Sequence, residues 1–468
     1  MNANYDLIVV GGGPAGLTAA QQAARTGKKV LLIDRNKVMG GAASNAGLPS
    51  RSLRETAIYV SRLRDRGLYS IDVTIQKELT VADLFFRKKA VVSMLDDLYQ
   101  KALKEDGITI LRGEARFLDP HQIAIKTADE EITVGGAIIL IAPGSRPLHP
   151  KTMPVGQPGL YDSDTILEIP SIPKKLIVIG GGVVGCEFAC TFAALNVAVT
   201  LVHSRETILE FLDPEIITYL EGRMAVMGID LILPDRVKKV ECGPENIVHL
   251  ESGAKLSADA VLFATGRLSN IEGLDLEKVG VQVGERGVLS VNSAFQTNVP
   301  TIYATGDVIG FPGLTATSKE QSRVAMAHAF ACDYTDHVSS ILSFGIWTIP
   351  SVAIAGESEG SLQKKGIPYV VGRGFSKENP RALLEGDNLG LVKLIFTGDD
   401  MKLAGVHLIG QEACELIHIG LTALATGATA QLFRDMCFGF PTFSETYKYA
   451  TLNALEHKAK GVSGAFAS

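Results

Sequence analysis

Two stretches of this chain carry glycines at a spacing suited to binding a phosphate group. Gly11, Gly13 and Gly16 follow the apolar run Tyr5-Asp-Leu-Ile-Val-Val10, and Gly180, Gly182 and Gly185 follow Leu176-Ile-Val-Ile179. In both, the pattern G-x-G-x-x-G lies between a strand-like run and a helical stretch, and a second strand-like run follows, Lys29–Asp34 or Val197–His203. Glycines in this context let the backbone approach a pyrophosphate at a helix N-terminus, where unpaired N–H groups and the helix dipole favour anions. A lone G-x-G-x-x-G is weak, because glycine turns also serve packing, but two copies in the same strand–turn–helix context are specific.

The residues at the ends of the second strands set what each turn could hold. Asp34, followed by Arg35, can accept both ribose hydroxyls of an adenosine, as FAD or NAD requires. His203 stands at the matching position of the second copy, and His203-Ser204-Arg205 offers hydroxyl and cationic donors suited to the 2′-phosphate of NADP. Arg205 also reads as a solvated surface arginine, and neutral His203 with Ser204 does not exclude a plain ribose, so use of both NAD and NADP is open.

The elements that must position these residues fit a large α/β protein. At roughly 150 residues per domain, 468 residues suggest about three domains. With 46% hydrophobic and 21% charged residues the chain can fill buried cores, and a net charge of −6 argues against a nucleic-acid partner. No apolar run is long enough for a bilayer, and the first strand-like run begins too early for a signal peptide, so no membrane partner and a cytoplasmic location are expected. The six cysteines are scattered from Cys186 to Cys437, with Cys186 and Cys190 on one helix as buried, inert thiols, and the histidines lack paired-ligand spacing. No metal is expected. Six prolines between Pro147 and Pro173 mark an interdomain crossover.

With Ala142-Pro-Gly-Ser-Arg-Pro147, Ala264-Thr-Gly-Arg267 and Ala304-Thr-Gly-Asp307, the doubled fingerprint resembles the flavoprotein disulfide reductase superfamily essentially end to end. The resemblance implies an α/β fold of two Rossmann-like dinucleotide-binding domains plus a C-terminal α+β dimerisation domain. FAD would take the first fingerprint (1–150 and 269–345), NAD or NADP the second (151–268), and 346–468 would pair two chains as a homodimer. It also implies that Gly40, Gly41, Gly144 and Asp307 approach the FAD phosphates and ribitol, Ala115 the adenine, and Gly266 the nucleotide cleft. The helix N-terminus near Thr315 would face the flavin pyrimidine edge, with Thr317-Ser-Lys-Glu320 reading as a capping box.

The redox centre departs from that superfamily. Its redox cysteine pair is missing: Gly40-Gly-Ala-Ala-Ser-Asn-Ala-Gly-Leu-Pro-Ser-Arg51 has Ala43 at the first position, no second cysteine and one residue fewer between Gly47 and Pro49. The catalytic histidine is also missing from Phe440-Pro-Thr-Phe-Ser-Glu445, where Thr442 to Glu445 reads as a capping box. Arg51 occupies the position of a superfamily lysine and Glu187 that of its glutamate partner. The resemblance implies a bidentate Arg–Glu pair beside the flavin that stabilises its reduced form, or else a structural ion pair.

Within the superfamily, His203-Ser-Arg205, Asp307-Val-Ile-Gly-Phe-Pro312, Trp347-Thr-Ile-Pro350 and Glu415-Leu-Ile-His-Ile-Gly420 most resemble the soluble transhydrogenase branch, with Ser351 in place of the usual glutamate. This implies hydride exchange between NADPH and NAD through FAD. The alternatives are an NAD(P)H diaphorase, quinone reductase or oxidase, and a nucleotide-sensing flavoprotein without turnover. In the C-terminal segment, strands over 389–396 and 402–409 joined by Thr397-Gly-Asp-Asp-Met401, then helices over 411–426 and 444–459, are expected.

Overall fold

The computed structural model describes residues 4–36, 47–64, 79–150, 153–386 and 389–461. Gly40, Gly41 and Ala43 lie outside them. The strand Asn4–Val10 sits at the centre of a seven-stranded sheet, parallel to Val30–Asp34 on one side and Glu131–Ile141 on the other. Its residues alternate between two cores. Leu7 and Val9 pack with Ala19, Ala20 and Leu32 below, and Ile8 and Val10 pack with Leu31, Ile33 and Ile139 above. Burial on both faces is why the run reads as continuously apolar. The strand Ile302–Ala304 joins this sheet beside Glu131–Ile141, so the chain returns to it after the second nucleotide unit.

The second sheet is five-stranded and parallel, in the order Ile229–Ile232, Ala198–Val202, Lys175–Ile179, Ala260–Phe263, Leu160–Asp162. Its last strand comes from the proline-rich crossover. Leu160–Asp162 lies between Pro158 and Pro170 and forms an edge, where missing backbone donors are tolerated. The C-terminal sheet is five-stranded and antiparallel, with Ser343–Ile346, Ser351–Gly356, Lys402–Gly410, Leu391–Thr397 and Tyr369–Phe375 in that order. Helices Ala413–Ala425 and Thr446–Ala459 follow it, close to the expected spans. Among the described residues, no helix is long and apolar enough to cross a membrane.

Two expected capping boxes are not formed. The helix Thr315–Phe330 begins at Thr315, two residues before the expected cap, with Leu314 as an N-cap that makes no side-chain hydrogen bond. Packing wins over capping here. Thr317 and Ser318 are buried in the first turn, Ser318 Oγ donates to the Leu314 carbonyl at 2.8 Å, and Gln22 of the helix Pro14–Arg25 donates to the Arg323 carbonyl at 3.1 Å. At the other end of the chain, Glu445 is itself the N-cap of Thr446–Ala459 without a side-chain cap, and Thr442 Oγ1 donates to the Gly439 carbonyl at 2.7 Å.

Candidate functional site

The two glycine turns are near copies. Gly11 has φ +108° and Gly180 φ +116°, backbone that side chains rarely adopt. A Cβ on Gly11 would come 2.2 Å from the Ala142 carbonyl oxygen, and one on Gly180 2.4 Å from that of Ala264. The third glycines allow the helix to sit on the strand: a Cβ on Gly16 would lie 1.9 Å from the Gly11 oxygen, and one on Gly185 1.8 Å from the Gly180 oxygen. The middle glycines differ in kind. Gly13 and Gly182 have nothing within 4 Å of a built Cβ, and each is the N-cap of a helix with no side-chain cap. Each turn thus leaves open space in front of uncapped helix N–H groups, which fits a pyrophosphate.

At the first turn, Asp34 Oδ2 accepts from the Gly12 N–H at 2.6 Å and Oδ1 from the Asn36 N–H at 2.8 Å, which fixes the carboxylate beside the turn with acceptor capacity left. Arg35 is exposed next to it. Gly113 N donates to the Asp34 carbonyl at 3.1 Å, so Ala115 follows directly from the strand end, buried in the same core as Ile33. From the other side, a Cβ on Gly306 would lie 3.2 Å from Ala15, which brings Asp307 to the start of the first helix. Asp307 Oδ2 accepts from Ser145 Oγ at 2.7 Å, and Ser145 Oγ accepts from Arg267 Nε at 2.8 Å. Gly144 and Gly266, both with positive φ, flank this link. Thr315 is exposed at the uncapped start of its helix. These residues fit FAD: an anion cradle, a carboxylate at the strand end for ribose, and a second carboxylate beside the turn.

At the second turn, the His203 ring lies over Gly181, whose built Cβ would be 2.8 Å from the imidazole Cγ. Burial lowers the His203 pKa, Glu210 opposes the shift and Arg205 adds to it, so the ring is neutral near pH 7. Ser204 and Arg205 are exposed, and Arg205 is ion-paired with Glu210.

Between the nucleotide units and the C-terminal sheet, Ser50, Arg51, Arg54, Glu187, Phe188, Thr191 and Trp347 line a small cavity. The expected bidentate Arg51–Glu187 pair is not formed. Glu187 Oε1 accepts the Trp347 backbone N–H at 2.8 Å, while Arg51 Nη1 donates to the Gly47 carbonyl at 3.0 Å and the guanidinium lies 5.1 Å from the Trp347 ring centroid. Burial raises the Glu187 pKa, and Arg51, the Trp347 N–H and Arg54 partly oppose it. Arg54, which the sequence reading did not single out, is buried, donates twice to the Thr348 carbonyl at 3.1 and 3.0 Å, and lies 5.5 Å from the Trp347 ring centroid. Arg54 falls three residues after Arg51 on the helix Gly47–Arg64, a spacing that places both on one face and was the available signal. Nearby, burial pushes the Cys190 thiol up to about 11, which keeps it protonated and inert. Ser351 Oγ donates to the Gly410 carbonyl at 2.8 Å, closing a strand pair.

Two dinucleotide turns, each following a strand with parallel neighbours in its own sheet, joined by a central cluster and followed by an antiparallel sheet domain, define a two-nucleotide oxidoreductase. The family model for pyridine nucleotide-disulphide oxidoreductase matches residues 5–329, and that for its dimerisation domain matches 343–451. The chain belongs to the pyridine nucleotide-disulphide oxidoreductase family. It is 38% identical over 455 residues to a protein named soluble pyridine nucleotide transhydrogenase from Mycobacterium tuberculosis (strain ATCC 25177 / H37Ra), covering 96% of this chain and 97% of the relative. A protein of the same name from Salmonella paratyphi B (strain ATCC BAA-1250 / SPB7) is 35% identical over 458 residues, 97% of this chain and 98% of the relative. Among solved structures, the Cu(II) complex of the HOCl-induced flavoprotein disulfide reductase RclA from Escherichia coli has a TM-score of 0.87 at 25% identity, covering 97% of this chain and 99% of that one.

Proposed function

We propose that this protein transfers hydride between NADPH and NAD by a ping-pong route, with FAD at the first glycine turn and the two nicotinamide nucleotides alternating at the second. The observation that carries this reading is the pair of matched turns with unlike strand ends: Asp34 beside one, and neutral His203 with Ser204 and Arg205 beside the other. Bound FAD would supply the two-electron carrier between the donor and the acceptor nucleotide.

The chain's own groups bind, orient and set charge. The N–H groups at the starts of the helices Pro14–Arg25 and Val183–Ala194 hold pyrophosphates, and Asp34 accepts ribose hydroxyls. Arg205 takes a 2′-phosphate by charge-assisted hydrogen bonds, while His203 and Ser204 leave a plain ribose acceptable. NADPH and NAD exchange a hydride with no net proton, so the central cluster needs no acid or base. Arg51, whose guanidinium lies 5.1 Å from the Trp347 ring centroid, and Glu187, held by the Trp347 N–H, serve as positioned polar groups that orient the reacting rings. The same reading has a homodimer acting in the cytoplasm, supported by the dimerisation-domain match over 343–451.

The test is to mix purified holoenzyme with NADPH and a thio-NAD analogue and follow the absorbance of the reduced analogue. Parallel double-reciprocal lines are expected for one shared pocket. Intersecting lines, or ready reduction of quinone or oxygen with no reduced analogue formed, would overturn the reading.

A further inference from the structure

We infer that Glu210 sets the balance between NADP and NAD at the second glycine turn by competing with the 2′-phosphate for Arg205. The inference rests on the reading of Arg205 as the 2′-phosphate anchor and adds a specificity residue to it. The loop that carries Glu210 is fastened to the turn itself. The Leu209 N–H donates to the Gly181 carbonyl at 3.0 Å, with Leu209 in left-handed backbone at φ +48°. Ile208 is fully buried and its Cγ2 would meet a Gly181 Cβ at 3.0 Å, and the Leu212 N–H closes the loop on the Leu209 carbonyl at 2.9 Å. Glu210 is therefore presented one residue beyond a fixed contact with the nucleotide turn. From there its carboxylate pairs with Arg205.

The pair stands in for the anion the site would take. Both side chains are solvent-accessible, 66% for Arg205 and 38% for Glu210, so the pair is screened and worth no more than about fivefold in an equilibrium. A dianionic 2′-phosphate offers the same guanidinium more charge and more acceptor oxygens, and displaces the carboxylate. Glu210 is then left as an unpaired negative charge close to the phosphate. NAD carries no 2′-phosphate, so Arg205 keeps its partner and nothing is displaced. Glu210 thus subtracts from NADP affinity alone, which brings the two nucleotides closer together in one pocket that must release each in turn.

Isothermal titration calorimetry of the holoenzyme with NADP and with NAD tests this in the unsubstituted protein, Glu210→Gln, Arg205→Ala and the double variant. Glu210→Gln should tighten NADP about three- to tenfold at low salt, shift NAD less than twofold, and lose most of its gain at high salt. In the Arg205→Ala background the same substitution should gain clearly less, because the competition has lost its object and only the direct repulsion of the phosphate is left. An unchanged NADP affinity in Glu210→Gln, equal shifts for both nucleotides, or a full gain in the double variant would overturn the inference. Equal loss of NADP and NAD in Arg205→Ala would instead sink the underlying reading of Arg205. Selective NADP loss there together with a flat Glu210→Gln would remove only Glu210's part.

Discussion

The backbone N–H of Trp347 donates to Glu187 Oε1 at 2.8 Å, so the C-terminal sheet holds a carboxylate that belongs to the helix of the second glycine turn. Arg51 and Arg54 lie near the Trp347 ring, and the cluster links three parts of the chain through one residue. Because burial dominates, Glu187 binds its proton more tightly in the folded protein than its ordinary value of 4.5 implies. Between that value and the raised one the folded state carries the extra proton, so this residue's contribution to stability falls as pH rises across the window. Glu187→Gln, which cannot ionise, should gain stability relative to the unsubstituted protein as pH rises from 4.5 toward neutrality. Urea unfolding at several pH values measures it, and the reverse trend would mean that the two arginines outweigh burial.

A second buried cluster predicts a larger effect. Lys393 Nζ meets Asp213 Oδ1 at 2.8 Å, Glu215 Oε2 at 2.9 Å and Glu359 Oε1 at 2.5 Å, so an ammonium fills the place where these carboxylates would otherwise group around a cation. Burial alone would lower the Lys393 pKa, but Asp213 and the other carboxylates raise it above 10.5, while Arg373 and Lys393 hold Glu215 below 4.5 against burial. Stability from Lys393 is therefore complete below 10.5 and lost as pH rises through its raised value, and that from Glu215 is lost as pH falls through its lowered one. Lys393→Met should cost about 3–5 kcal/mol at pH 7, because it strands buried carboxylates. The cost should shrink in acid, where those groups are neutral, and chemical denaturation reads both.

The glycine turns were legible in the sequence because their chemistry is backbone chemistry: only glycine meets the Ala142 and Ala264 carbonyls without collision. The central cluster was legible only in part. Arg51 and Glu187 were expected to touch, but the partner that holds Glu187 is a main-chain N–H from a distant sheet, and no residue type announces a backbone donor. The helix start at Thr315 was misplaced because packing against the helix Pro14–Arg25 buries Thr317 and Ser318, and a local cap pattern carries no information about that neighbour. The edge strand Leu160–Asp162 hides among prolines for the same reason, since its partner Ala260–Phe263 lies far along the chain.

Disulfide substrates supply another check. All six cysteines lie at Cys186 or beyond, so none falls in the 40–51 segment before Arg51, and the buried Cys186 and Cys190 thiols are pushed up and unreactive. Two-electron reduction of the holoenzyme should show no thiolate-to-flavin charge-transfer absorbance. Turnover of lipoamide or glutathione disulfide at rates near that of nicotinamide exchange would contradict it.

Arg205→Ala should weaken NADPH by about 1.5–3 kcal/mol, roughly ten- to a hundredfold, and leave NADH nearly unchanged. The lower end is expected, because Glu210 already neutralises part of the arginine. Steady-state KM values for the two donors read the split, and equal losses would leave the 2′-phosphate without this anchor.

The middle and last glycines of one turn should separate binding from folding. Gly182 has φ −82° and nothing within 4 Å of a built Cβ, so Gly182→Ala strains no backbone and meets no protein atom. Its methyl instead enters the space before the helix N–H groups, where a pyrophosphate would lie. The variant should unfold like the unsubstituted protein and retain FAD, yet bind NADP and NAD at least tenfold more weakly, about 1.4 kcal/mol or more. Gly185→Ala is the converse, since its Cβ would come 1.8 Å from the Gly180 oxygen and must push the helix Val183–Ala194 off its strand. That overpacking should cost about 1–3 kcal/mol of stability or more, whether or not a nucleotide is present. Thermal unfolding and calorimetric titration of the two variants separate the effects. Normal nucleotide affinity in Gly182→Ala would show that the open space before this helix is not where the nucleotide lies.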